Sequence, residues 1–208
     1  MRTLLLLALM LCLATMQASA QAPATVIWQV NSFDVNANVQ QTERLLNGVA
    51  TINATNVGTG PGRTMTLRIN SKASVKSVTM GGAAVVYRPG PPRGDLQRVE
   101  ITLPAAVAPN ATVSATVTYS LPVESNTGLT AISPIATQFL PLAFWYPMPN
   151  TPDSVRGADT APFHLTVNIP NAISSGVEKA GAAGSVTFDQ SLYGQPFFIQ
   201  GDWDKLEG

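Results

Sequence analysis

Beyond its first twenty residues this 208-residue chain has no cysteine, because the only one, Cys12, lies in the opening segment. That excludes disulfides from the rest of the chain, and with them any cysteine-ligated zinc site. Histidine is almost as scarce, with His164 alone. Zinc takes three or four Cys, His or carboxylate ligands, and no His-Glu-x-x-His sequence occurs, so neither a metal nor another cofactor is expected in this chain. Charge is sparse and balanced, at 12 basic and 12 acidic residues. A surface without basic excess argues against nucleic acid and against an anionic membrane surface as partners. No apolar run reaches the ~20 residues of a membrane-spanning helix. Sustained helical spacing is missing as well. Gln40–Leu46 is compatible with a single helical turn, cut short by Gly48.

The longest apolar run, Leu4–Leu13, follows Arg2 and leads to Ala18-Ser19-Ala20. One positive charge, a short hydrophobic core and an Ala-x-Ala ending are the marks of a secretory signal peptide. Residues 1–20 are assigned to it, with cleavage expected after Ala20 or Ala22. Leu11 precedes Cys12, where a lipoprotein signal takes a small residue, which argues against a lipid anchor. Residues 21–208 are expected to form one exported domain, periplasmic or extracellular. It exceeds the ~70–80 residues below which small scaffolds need staples.

What the chain does have is period-two alternation. Ala50, Ile52 and Ala54 oppose Thr51, Asn53 and Thr55. Met65, Leu67 and Ile69 alternate with Thr64, Thr66 and Arg68. Val99, Ile101 and Leu103 alternate with Arg98, Glu100 and Thr102. Val113–Leu121 is the clearest such run, and Phe163, Leu165, Val167 and Ile169 form another. A first strand is read at Val26–Asn31, and short closing strands at Val186–Phe188 and Phe197–Ile199. Gly81-Gly82 marks a hairpin turn and Arg88–Asp95 a Pro/Gly-rich loop. One apolar and one polar face per strand, at short intervals, predicts an all-β fold: an antiparallel β-sandwich of two packed, saddle-like sheets.

Residues that could carry chemistry are few. His164 falls on the polar face of its strand and reads as an ordinary hydrogen-bonded histidine. A Ser-His-Asp triad around it would need a nucleophile elbow, and no G-x-S-x-G occurs. Asp202, Asp204 and Glu207 cluster without the spacing of a calcium loop. Arg93-Gly94-Asp95 matches an adhesion tripeptide but reads as a polar hairpin tip. Asn53-Ala-Thr55 and Asn110-Ala-Thr112 match the glycosylation pattern. Phe139, Phe144, Trp145 and Tyr146 crowd into one short run. Buried packing is the expectation for them, because aromatic rings bury large areas. The alternative is a stand-alone extracellular binding module, for a glycan or a surface protein, with Trp145 and Tyr146 as an exposed stacking platform.

Several segments, in order, resemble the N-terminal β-sandwich domain of the aminopeptidase-N-type family of zinc metallopeptidases. Gly48-Val-Ala-Thr-Ile52 resembles a family strand beginning with glycine. Leu103-Pro104 through Tyr119 resembles a later segment, with Asn110 near its usual glycine. Thr137-Gln138 followed by Trp145-Tyr146-Pro147 resembles the family's Thr-Gln stretch. Pro162–Pro170 and Gln195–Asp204 resemble the last two strands. The resemblance implies a non-catalytic domain that packs against a downstream thermolysin-like catalytic domain and walls the substrate cleft. Zinc is then expected only in that downstream domain, with a peptide as the parent enzyme's substrate. By position Gln138 matches the pocket glutamine that binds the substrate terminus. Leu140, Met148 and Asn150 depart from the family pattern, and Leu140 offers an ammonium group no charge.

Overall fold

The computed structural model describes residues 23–150, 159–182 and 184–201. The leader assigned to 1–20 and the acidic residues Asp202, Asp204 and Glu207 lie outside them. The described residues form fifteen strands: β1 Trp28–Gln40, β2 Leu45–Asn56, β3 Gly62–Asn70, β4 Ser74–Met80, β5 Ala83–Ala84, β6 Tyr87–Pro89, β7 Leu96–Val107 and β8 Thr112–Pro122 in the first half. Then come β9 Thr130–Ile132, β10 Ala136–Phe139, β11 Met148–Pro149, β12 Ala161–Val167, β13 Val177–Ala180, β14 Val186–Gly194 and β15 Phe198–Gly201.

They build three sheets. The large one runs β13-β14-β12-β1-β2-β8-β4-β5; a second runs β11-β3-β7-β6; a third runs β15-β10-β9. The alternation read from the sequence is the burial pattern. Ala50, Ile52 and Ala54 of β2, Met65, Leu67 and Ile69 of β3, and Val99 and Ile101 of β7 are buried within one continuous hydrophobic core. Hydrogen bonds tie the layers together. Trp28 Nε1 on β1 donates to the Thr64 carbonyl on β3 at 3.1 Å, and the Tyr87 hydroxyl on β6 donates to the Val75 carbonyl on β4 at 3.2 Å. The sandwich is therefore one broad sheet covered by two smaller ones.

Three features differ from the sequence reading. First, β1 continues to Gln40. Its register shifts between Val30 and Ser32, so Phe33, Val35, Ala37 and Val39 stay on the inner face that Trp28 and Val30 began. An extra residue at a bulge moves the parity without moving the face. Second, Gln40–Leu46 is no helical turn. It is the hairpin between β1 and β2, closed by Arg44 at φ 51° with its N–H on the Gln41 carbonyl at 3.2 Å. Third, the sheets are antiparallel with one exception: β12 lies parallel to β1, pairing Phe33 with Phe163 through Ala37 with Val167. A parallel neighbour requires a long return connection, here everything from β2 through β11.

The turns follow their residues. Gly81 and Gly82 both have positive φ, 57° and 82°, as a tight hairpin demands. Asn110 turns β7 into β8 at φ 64°, a left-handed conformation that explains why a glycine suits this position. Asn56 is fully buried and knots the 57–61 loop. Its Nδ2 donates to the Gly60 and Val107 carbonyls at 2.8 and 3.1 Å, and its Oδ1 accepts from the Gly58 N–H at 3.1 Å.

Candidate functional site

The crowded aromatic run is the joint where the sheets meet. Leu140 leaves β10 extended, Pro141–Ala143 make a single 3-10 turn, and Phe144 stops it in a left-handed conformation at φ 51°. Asn70, at the end of β3, fastens this turn. Its backbone N–H donates to the Phe144 carbonyl and its Nδ2 to the Ala143 carbonyl, each at 2.8 Å. The chain then drives Trp145 and Tyr146 into the core, both at 0% exposure. The Trp145 ring stands 5.4 Å from Phe198 and 5.9 Å from Phe139 of the three-stranded sheet. Tyr146 meets Trp145 at 4.9 Å and Phe33 of the large sheet edge-on at 5.3 Å. These rings tie two sheets through their edges and faces.

This burial corrects the binding-module alternative: neither Trp145 nor Tyr146 can stack on a ligand from solution. Among the described residues, Trp145 Nε1, the Tyr146 hydroxyl and Thr137 Oγ1 are buried without hydrogen-bond partners. Each such group costs about 1–3 kcal/mol. Burial is the first cause that pushes the Tyr146 phenol well above its ordinary ionisation range. The charge of Asp159 and the nearby Tyr119 add to it, and Arg68 opposes it.

Gln138 sits one residue away from this joint but on the opposite face. On β10 it pairs with Ala131 and Ile199, while its neighbours Thr137 and Phe139 are fully buried. Its half-buried side chain donates from Nε2 to the Thr127 carbonyl at 3.2 Å. Among the described residues its Oε1 takes no hydrogen bond. Leu140 shares this face, two residues on, and is half-buried. Leu129 and the strongly exposed Leu142 lie nearby, on the wall of a cleft of about 150 Å³ that also includes Thr127, Thr130, Lys72 and Glu124. Lys72 Nζ reaches Glu124 Oε2 at 2.6 Å and holds that carboxyl below its usual range.

His164 is a hydrogen-bonded surface histidine. Its Nδ1 lies 2.6 Å from Asp189 Oδ1, and Lys179 Nζ lies 2.5 Å from Asp189 Oδ2. These contacts lower the Asp189 pKa, Lys179 first and His164 second. On its other side His164 Nε2 faces Thr166 Oγ1 at 3.5 Å, too long for an activated nucleophile. The sequence left Asp189 and Lys179 unnoticed, because only the β12–β14 and β13–β14 registers bring them to His164.

The remaining motifs resolve into structure. Arg93 exchanges backbone hydrogen bonds with Leu96 across Gly94, at φ 60°, and Asp95, so the tripeptide is an exposed hairpin tip. Asn53 lies inside β2 with its Nδ2 on Ser32 Oγ at 2.9 Å, whereas Asn110 is exposed at its turn. Among the described residues no three His, Cys, Asp or Glu side chains converge to hold a metal, and no helix is long and apolar enough to cross a membrane.

No family model and no curated protein matches the sequence. Solved structures do match. An M1 zinc metallopeptidase from Deinococcus radiodurans superposes with a TM-score of 0.67 at 21% identity, over 86% of this chain and 43% of that one. The same organism's M1 enzyme bound to a Tyr-Ser-Ala substrate gives 0.63 at 22% identity, over 84% and 42%. Leukotriene A4 hydrolase from Saccharomyces cerevisiae gives 0.64 at 14% identity, over 91% and 32%. This chain thus spans less than half the length of each. At these identities the likeness establishes the fold, and the chain carries, nearly whole, a β-sandwich that M1 zinc metallopeptidases carry as part of longer chains.

Proposed function

We propose that this chain is the non-catalytic front domain of an exported zinc aminopeptidase-like metallopeptidase. Its task is to wall one side of a peptide-binding cleft and to seat a downstream thermolysin-like domain that carries the zinc. The observation that carries this reading is the share of the match: almost the whole sandwich aligns, against 43% of a zinc metallopeptidase. The leader read at residues 1–20 supports export to the periplasm or the extracellular space.

Gln138 is the residue that meets substrate in this reading. A glutamine amide both donates and accepts, so its open Oε1 can take a hydrogen bond from a peptide's terminal ammonium. Leu140 beside it supplies apolar contact and no countercharge, so the affinity for the amine has to come mainly from groups on the catalytic side of the cleft. The exposed Leu129 and Leu142 suit a surface that another domain covers.

Reading the encoded sequence beyond Gly208 tests the proposal. A His-Glu-x-x-His sequence with a glutamate downstream is expected. A stop codon directly after Gly208 contradicts it.

A further inference from the structure

Basic charge is unevenly placed in this neutral chain. From Arg63 to Arg98 there are seven basic residues and one acidic residue, Asp95. Three of the seven, Arg68, Arg93 and Arg98, line one cavity of about 270 Å³, with Gly90 and Asn150 in its wall. The β3–β7 register sets Arg68 directly opposite Arg98. Like charges opposed in an antiparallel pair destabilise it, so packing alone does not account for the arrangement.

The fold answers this charge only in part. Asp159 Oδ2 accepts from an Arg68 Nη at 2.6 Å and from Gln195 Nε2 at 3.1 Å. The Arg68 guanidinium carbon also lies 5.6 Å from the centroid of the Phe144 ring, over its face. Among the described residues its Nε is nevertheless buried without an acceptor. Arg93 and Arg98 are exposed, and among the described residues their side chains make no hydrogen bond or ion pair. Among the described residues, Asp159 is thus the one carboxylate paired with any of these three guanidiniums.

We propose that this cavity binds a small oxyanion, the carboxylate or phosphate group of a ligand, on Arg68 and Arg98 with Arg93 at the rim. The planar guanidinium fork matches either group with paired hydrogen bonds, and it keeps its charge at any physiological pH. Asp159 shows the chemistry in place, since a carboxylate of this chain already occupies one side of Arg68. A partly buried site also screens the attraction less than open water does.

Calorimetric titration of the chain with inorganic phosphate, and separately with succinate, at constant ionic strength tests this. Saturable one-to-one binding of at least one probe is expected, and the tighter probe identifies the source of the oxyanion. Arg98→Gln and Arg93→Gln should each weaken it by about tenfold. Arg63→Gln, an exposed arginine on the same sheet and outside the cavity, should leave it unchanged. Far-UV circular dichroism checks the fold of each variant, and Arg93→Gln, at a hairpin tip, carries the test should Arg98→Gln fold poorly. The proposal is overturned if neither probe saturates at millimolar concentration, if the cavity variants bind as the parent does, or if Arg63→Gln weakens binding equally.

Discussion

Gly48 lies under the ring of Tyr119. The two residues face each other across β2 and β8, and a Cβ at position 48 would stand 2.2 Å from Tyr119 Cζ and 2.4 Å from its hydroxyl oxygen. The glycine is the space into which the tyrosine folds. Gly48→Ala should therefore destabilise the sandwich by about 1–3 kcal/mol through overpacking. Urea unfolding measures this. Combined with Tyr119→Leu, the loss should fall short of the sum of the two single losses, because the pair shares one volume. Strict additivity would mean that the ring does not occupy that space.

Tyr119 also sets an alkaline limit. Burial raises its phenol far above the ordinary value of 10.0, and the Tyr146 phenol moves the same way. Both stay protonated in the folded chain where the unfolded chain would lose its protons. Their contribution to stability is thus complete below pH 10 and declines as the pH rises beyond it. Tyr119→Phe should flatten that decline. At neutral pH it should cost little, because the buried hydroxyl has no hydrogen-bond partner among the described residues to lose. Urea midpoints followed across this pH range, parent against variant, check both expectations.

Removing the Trp145 ring should unfold the joint rather than expose a failed binding platform. Trp145→Ala is expected to cost about 3–5 kcal/mol, the usual range for deleting a fully buried aromatic. Thermal melting reads the loss directly. A variant that melts with the parent and loses only the capacity to bind a glycan would reverse the assignment of this residue to the core.

The buried Asn56 offers a more local test. Asn56→Ala would strand the Gly58 N–H and the Gly60 and Val107 carbonyls, which the amide now serves. Buried polar groups left unpaired cost about 1–3 kcal/mol each, so the effect should exceed that of one ordinary hydrogen bond. Amide exchange at Gly58 should speed up more than exchange at Ile52, in the middle of β2. Equal acceleration at both positions would show global loosening instead.

The strands were legible because their signal is local. Ala50, Ile52 and Ala54 announce a buried face by their spacing, and so do Met65, Leu67 and Ile69. Phe33, Val35, Ala37 and Val39 carry the same signal, yet the bulge after Val30 breaks the parity that would join them to Trp28. Pairing between distant strands leaves no such trace. Nothing near Phe163 in the sequence shows that it lies parallel to Phe33, and nothing near Arg98 shows that Arg68 faces it. Burial of Trp145 and Tyr146 followed from ring size. Gln138 was reached through family resemblance, since a glutamine between two buried residues has no distinguishing spacing of its own.

The most direct test of the account uses the purified chain alone. Its zinc content, by plasma mass spectrometry, and its hydrolysis of amino-acid p-nitroanilides should be measured on the same sample. The proposed role, a cleft wall whose zinc lies in another domain, predicts no bound zinc and no turnover above the uncatalysed rate. Stoichiometric zinc together with peptide hydrolysis would contradict it.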